Sequence, residues 1–288
     1  MMFPVLLEIG PIKIYSFGFM LVIAFYTCYF LLNSDLKRFG YEPKLASDMV
    51  FWAAIGGIFG AKIYYILEHL SDTLNDPIGM IFSGSGLVFL GGLVGGMLGV
   101  TMVIRKNDLP WVKFSDIVAP LLIIGYAIGR IGCFLVGDDY GIPTNLSWGV
   151  SFVNGLPPTT TQSFSYYYPW IDISGIEPGL ISVHPTQIYE SLAGFAIFAF
   201  LWNRRKYVRV EGSLFLTYLV LAGIERFMIE FIRTNDKYLL GVLSGAQVIS
   251  VIMISIGLYF LIYPLSNNEL TSKSVSYTHL TLPTILLV

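Results

Sequence analysis

Four basic side chains, Lys62, Arg130, Arg226 and Arg233, interrupt otherwise apolar stretches of this chain, with Glu190, Glu225 and Glu230 available as partners. Placing a basic side chain at the middle of an apolar span costs about 2.5–3.5 kcal/mol on insertion scales, so each needs a partner or a purpose. Arg226, Glu230 and Arg233 stand at i, i+4 and i+7, which puts them on one face of a continuous helix. Glu230 can pair well with only one of these arginines, leaving the other facing an anion. Two readings follow. One is a structural ion-pair network that fixes helix packing. The other is a cavity for an anionic group, above all a lipid phosphate, because guanidinium forks suit phosphate oxygens better than an ammonium does.

Two further constellations accompany this one. Gly129-Arg130-Ile131-Gly132-Cys133 leads into Gly137-Asp138-Asp139-Tyr140-Gly141, where glycines permit a turn and close ligand approach beside Arg130. His184-Pro185-Thr186-Gln187-Ile188-Tyr189-Glu190 reads as a helix start, with Pro185 at the entry and Glu190 in the first turn. A lone histidine there is more often a structural hydrogen-bonding residue than a catalyst. His69 and His184 show no metal-ligand spacing, so no metal is expected. Cys133 beside Arg130 reads as an activated thiol or as a small buried hydrophobe. Cys28 belongs at a different depth, which excludes a Cys28–Cys133 bridge. The sequence has neither a P-loop nor a strand leading into GxGxxG.

The elements that must hold these groups are set by composition. Of 288 residues, 55% are hydrophobic and 12% charged, with a mean hydropathy of +0.70. Soluble domains carry about twice that charged fraction, so the chain reads as a polytopic membrane protein. A net charge of -2 disfavours nucleic acid as a partner. Apolar runs long enough to cross a bilayer lie at about 14–33, 47–69, 86–104, 114–136, 187–203, 212–233 and 242–263. The first lacks a basic leader and a small-residue cleavage site, and is expected to persist as a span. Lys37, Arg38 and Lys44, then Arg105, Lys106 and Lys113, then Arg204, Arg205, Lys206 and Arg209 fill alternate connections. The other connections hold only Lys237, which predicts seven all-α spans with the N-terminus outside and the C-terminus inside. The four cations within spans then fall in the outer halves.

Residues 137–186 form a long outer connection, expected to be a small extracytoplasmic head with Tyr166, Tyr167, Tyr168 and Trp170 at the headgroup level. Gly56, Gly57 and Gly60 in span two, and Gly91, Gly92, Gly95, Gly96 and Gly99 in span three, have the spacing of a close helix seam. Residues 1–270 are expected to form the membrane domain. The stretch 271–288, with its SVSYTHLTLPT run, looks like translated adapter sequence, and His279 is set aside with it.

These segments together resemble the prolipoprotein diacylglyceryl transferase family over about 255 residues. The likeness is carried by Ile9-Gly10-Pro11, Gly91-Gly92, GRIGCFLVGDDYG at 129–141, HPTQIYE at 184–190 and ERFMIEFIR at 225–233. It implies an enzyme of the bacterial inner membrane, without a cofactor, whose active site faces the outer leaflet. It would move a diacylglyceryl group from phosphatidylglycerol, or a similar anionic phospholipid, to the lipobox cysteine of a prolipoprotein signal peptide. A thioether forms and glycerol phosphate leaves. The catalytic residues implied are Arg130, Arg226, Glu190, Asp138 and His184. Substrate contacts fall to Arg130, Gly132, Cys133, Gly141, Gln187, Tyr189, Glu230 and Arg233.

The chain departs from the family pattern at several polar positions. Leu90 stands where the family has His, Cys133 and Val136 where it has Asn, Asp138 for Glu, and Phe17 and Ala222 for Tyr. The proton acceptor is then sought among Asp138, Asp139, Glu190 and His184. A non-catalytic phospholipid-binding or transport protein on the same scaffold is the competing expectation. A transporter needs a polar path to the inner side, and the inner halves of these spans are almost free of charge.

Overall fold

In the computed structural model, residues 4–10, 12–82, 88–237 and 243–263 are described. The suspected tail at 271–288 lies outside them. The described chain is mostly helical. Seven long helices coincide with the seven apolar runs: α1 (Ser16–Arg38), α2 (Pro43–Glu68), α5 (Phe89–Lys106), α6 (Trp111–Val136), α8 (Thr186–Arg204), α9 (Ser213–Ile229) and α10 (Gly245–Ile262). Short helices α3 (Leu70–Asn75) and α4 (Pro77–Phe82) follow α2, and α7 (Thr161–Tyr167) lies in the connection after α6. Four helices, α1, α2, α6 and α10, are long and apolar enough in themselves to cross a membrane.

Two expectations need correction. The fold is not strictly all-α: Val5–Ile9 and Ile12–Tyr15 form an antiparallel hairpin ahead of α1. The run 212–233 is not one helix either. α9 stops at Ile229, Glu230–Ile232 is a 3-10 turn, and Arg233 is extended with φ -83° and ψ 160°. Arg226, Glu230 and Arg233 therefore do not share a helical face. Arg233 instead pairs in an isolated β-bridge with Gly141.

The central element is α6, which packs against α1, α8 and α9 and buries both apolar side chains and Asp116. Asp116 is held because both its oxygens are used: Oδ2 accepts from the Gly212 amide at 2.7 Å and Oδ1 from the Phe215 amide at 2.8 Å. Those amides begin α9 and have no partner within the helix, so α6 caps α9 across the bundle.

The glycine-rich helices pack backbone to backbone. A Cβ on Gly95 would lie 2.1 Å from the Gly56 carbonyl oxygen, and one on Gly60 would lie 2.3 Å from that of Gly91. Removing side chains every fourth residue lets α2 and α5 touch at a distance that no larger residue permits.

Residues 137–186 build a core of their own. Tyr140, Phe152, Phe164, Ile181 and Val183 are buried together, and the Tyr140 hydroxyl donates to the Pro157 carbonyl at 2.9 Å. Tyr166 and Tyr167 are exposed. The other two aromatic residues of that group make contacts within the protein. Tyr168 meets the Tyr140 ring edge-on, and the Trp170 indole donates to the Thr234 carbonyl at 2.9 Å. The head is thus tied to the chain leaving α9.

Candidate active site

Six charged side chains converge where the C-terminal part of α6 and the turn after it, the second turn of α8 and the end of α9 meet. Glu190 is the hub. It lies one turn deeper in α8 than the sequence suggests and its side chain is fully buried. Arg130 Nε lies 3.2 Å from Glu190 Oε2, while Arg226 and Arg233 reach Oε1 at 3.2 and 3.3 Å. The Tyr126 hydroxyl also donates to Oε1, at 3.0 Å. A carboxylate can be held in a dry interior only when its lone pairs are used this fully.

Each arginine has a second anion. Arg226 pairs with Glu230 at 2.9 Å, the i,i+4 contact that the spacing predicts. Arg130 and Arg233 both turn to Asp139, at 2.7 and 2.8 Å, one to each carboxylate oxygen. Three guanidinium groups thus face three carboxylates in a continuous network. Glu230 is further fixed by Asn235 at 2.8 Å and by the Ser244 hydroxyl at 2.6 Å. Ser244 also caps α10 in a reciprocal box with Gln247, so Glu230 joins the end of α9 to the start of α10.

Asp139 reaches this position through two left-handed residues set one apart. Gly137 ends α6 with φ 77°, and Asp139 itself has φ 57°. Aspartate tolerates this left-handed region better than most residues, and a strained backbone held by strong partners is a mark of functional placement. Two bonds from the start of α8 brace the turn. The Thr186 hydroxyl donates to the Asp139 carbonyl at 2.9 Å, and the Gln187 amide donates to that of Asp138 at 2.5 Å.

The two adjacent aspartates differ in character. Burial, reinforced by the neighbouring Asp139 charge, pushes Asp138 up to about 6, against smaller opposing effects from a Cys133 hydrogen bond and from Arg130 and Arg233. Burial would raise Asp139 as well, but the guanidiniums of Arg233 and Arg130 hold it down to about 2. Asp138 Oδ1 is buried and makes no hydrogen bond among the described residues. Of the three candidate carboxylates, Asp138 is the one with an oxygen left unengaged among the described residues. Glu190 and Asp139 are committed to guanidinium groups. Burial lowers the His184 imidazole, whose Nδ1 lies 3.5 Å from the Tyr189 hydroxyl.

The remaining candidates occupy the periphery. Tyr189 accepts from the Trp148 indole at 2.7 Å. Gly132 faces α1, where an added Cβ would sit 3.2 Å from Phe17 and Met20. Gly141 packs against the chain after α9, with a would-be Cβ 2.5 Å from the Ile232 carbonyl oxygen. Cys133 is buried and accepts from Arg130 at 3.8 Å. Lys62 lies on α2 with its ammonium 5.4 Å from the Tyr65 ring centroid. Tyr126, Asn235 and Ser244 complete the network and were not anticipated. Tyr126 stands at i-4 from Arg130, a spacing that would have found it. Glu225 Oε1 is buried without a hydrogen-bond partner among the described residues.

The family model for prolipoprotein diacylglyceryl transferase matches residues 4–263. The chain belongs to that family. A phosphatidylglycerol–prolipoprotein diacylglyceryl transferase of Clostridium tetani is 33% identical over 257 residues, covering 89% of this chain and 95% of that protein. Proteins of the same description from Oceanobacillus iheyensis and Trichormus variabilis are 31% and 35% identical. These alignments cover 90% and 88% of this chain, and 87% of each relative. The family is one of transferases, and the guanidinium network of this chain lies wholly inside the matched region.

Proposed function

We propose that this chain transfers the diacylglyceryl group of phosphatidylglycerol to the lipobox cysteine thiol of a prolipoprotein, in the bacterial inner membrane. The observation that carries the reading is the convergence of Arg130, Arg226 and Arg233 on one buried carboxylate at the junction of α6, α8 and α9. Seven spans with the N-terminus outside, within a membrane domain of residues 1–270, would place this junction toward the outer leaflet. A lipid phosphate and a signal peptide both reach that level.

The chemistry needs a proton acceptor and a seat for a leaving phosphate. A free thiol has a pKa of about 8.5, so it needs help to become the attacking thiolate. Asp138 takes that proton. The thiolate attacks the glycerol carbon, a carbon–sulfur bond forms, and the bond from that carbon to the phosphate oxygen breaks. Glycerol phosphate leaves with the electron pair. Charge grows on the phosphate as it departs, and preorganised guanidinium donors stabilise the developing anion. Arg130 and Arg226 serve this end. Glu190, Glu230 and Arg233 hold them in place, while Gln187 and Gly141 fix the turn that carries Asp138. His184 and Tyr189, with Trp148 donating to the Tyr189 hydroxyl, stand at the start of α8 ahead of Glu190.

The test is complementation of a strain depleted of its own transferase, with the mass of a model lipoprotein as the readout. Gain of one diacylglyceryl mass supports the reading, as does its loss in Arg130→Ala with the protein still inserted. Failure of the unaltered chain to add that mass, when it is present in the membrane, refutes it.

A further inference from the structure

Among the six charged groups of the network, one carboxylate is unlike the others. The Glu190 and Glu230 side chains are 0% and 1% exposed, whereas that of Asp139 is 45% exposed. Its two oxygens each take one guanidinium, Arg130 at 2.7 Å and Arg233 at 2.8 Å. Two adjacent oxygens bridging two guanidinium forks is also how a phosphate ester binds such a pair. Asp139 hangs from a tight turn at φ 57°, so its side chain can swing away while the amide and carbonyl bonds of the turn stay in place. Arg130 and Arg233 are far better buried than their partner, at 15% and 5% exposed. The cations are fixed and the anion is at the door.

We propose that Asp139 is a resident anion occupying a phosphate-ester seat between Arg130 and Arg233, and that the ligand binds by displacing it. The inference rests on the reading that phosphate is handled here, and it adds Arg233 to the groups that touch the phosphate. The carboxylate keeps two cations neutralised in a low-dielectric setting while the seat is otherwise unfilled, which lowers the cost of assembling the site. It also sets a threshold. A ligand with one weak contact cannot exchange with a doubly paired carboxylate, but a phosphate ester with two free oxygens can.

The prediction is that removing the resident carboxylate tightens anion binding more than the same acid-to-amide replacement nearby does. Purified full-length protein in detergent is titrated calorimetrically with glycerol 1-phosphate, and retention of phosphatidylglycerol over phosphatidylcholine is scored by native mass spectrometry. Asp139→Asn is compared with Glu225→Gln, the same acid-to-amide replacement in the field of the same arginines without vacating the seat. Displacement predicts at least tenfold tighter binding of glycerol 1-phosphate in Asp139→Asn and less than threefold in Glu225→Gln. If only phosphatidylglycerol retention rises, the seat takes the lipid diester; if both rise, it takes the free monoester too. Equal gains in the two variants, or no gain in Asp139→Asn for either probe, overturn the proposal. Because these are binding measurements, they stand apart from loss of transfer: an unaltered chain that binds both probes yet lipidates nothing refutes the function and leaves the seat intact.

Discussion

Replacing Glu190 by glutamine is the sharpest perturbation of this site, because the change is nearly isosteric and acts at the hub. Glu190 accepts from Arg130, Arg226, Arg233 and Tyr126 at 3.0–3.3 Å with no exposure of its side chain. The amide retains one acceptor oxygen and turns a donor toward guanidinium groups that can only donate. A network of three cations and three anions becomes one with a surplus positive charge in a dry junction. Breaking a buried ion pair by removing one partner costs about 3–5 kcal/mol. That corresponds to roughly 150- to 5,000-fold in the folding equilibrium. Denaturant unfolding of the detergent-solubilised protein, followed by tryptophan fluorescence, measures the loss. Arg233→Gln in the same background should return part of it, since the surplus charge is then gone. A Glu190→Gln protein within about 0.5 kcal/mol of the parent, or a double variant equal to the sum of the singles, would refute the hub.

Other expectations concern the seam, the base and the forked donor. Gly95→Ala should destabilise by about 1–3 kcal/mol or more, because its methyl group would meet the Gly56 carbonyl oxygen at 2.1 Å. Gly57→Ala, with 3.6 Å available, should unfold within about 0.5 kcal/mol of the parent in the same denaturant series. With Asp138 as base, kcat/KM should climb as pH rises toward about 6 and then level off; Asp138→Asn should lose that limb together with about 10²–10⁴ of the rate. A pKa raised in the folded state also means that Asp138 favours folding below its ordinary value of 3.8. That contribution fades as pH rises through about 6, so Asp138→Asn should flatten stability across this window. Arg130→Lys should insert normally but lose about 10²–10³ in transfer activity, since one ammonium cannot span Glu190 and Asp139 at once.

Much of this arrangement is legible in the sequence, for physical reasons that also mark where legibility ends. Apolar runs and helices coincide because each run must satisfy its own backbone; 187–203 and Thr186–Arg204 differ by one residue at each end. The glycine spacing of four specifies a seam because the helical repeat alone aligns those positions. The pairing of Arg226 with Glu230 is equally local. Arg233 is where such reasoning fails. Periodicity carries the helix through it, but a 3-10 turn ends α9 early and a bridge to Gly141, 92 positions upstream, decides its direction. Nothing nearby in the sequence encodes that contact. The same holds for Asp139, whose adjacency to Arg233 depends on two left-handed residues and the brace from α8. Residue type does not separate the candidate carboxylates; their partners do, since the oxygens of Glu190 and Asp139 are held by guanidinium groups and Asp138 Oδ1 has no partner among the described residues.

The distribution of the network over the chain has a consequence for biogenesis. Arg130 enters the membrane with α6, whereas its buried partner Glu190 is made 60 residues later and Arg226 later still. At synthesis rates of about 5–20 residues per second, α6 waits several seconds before the hub exists. In that interval the anion within Arg130's reach is Asp139, nine residues downstream on the same segment. The carboxylate that still holds Arg130 in the finished network would then also accompany it into the bilayer, with Glu190 added as a second partner when α8 arrives.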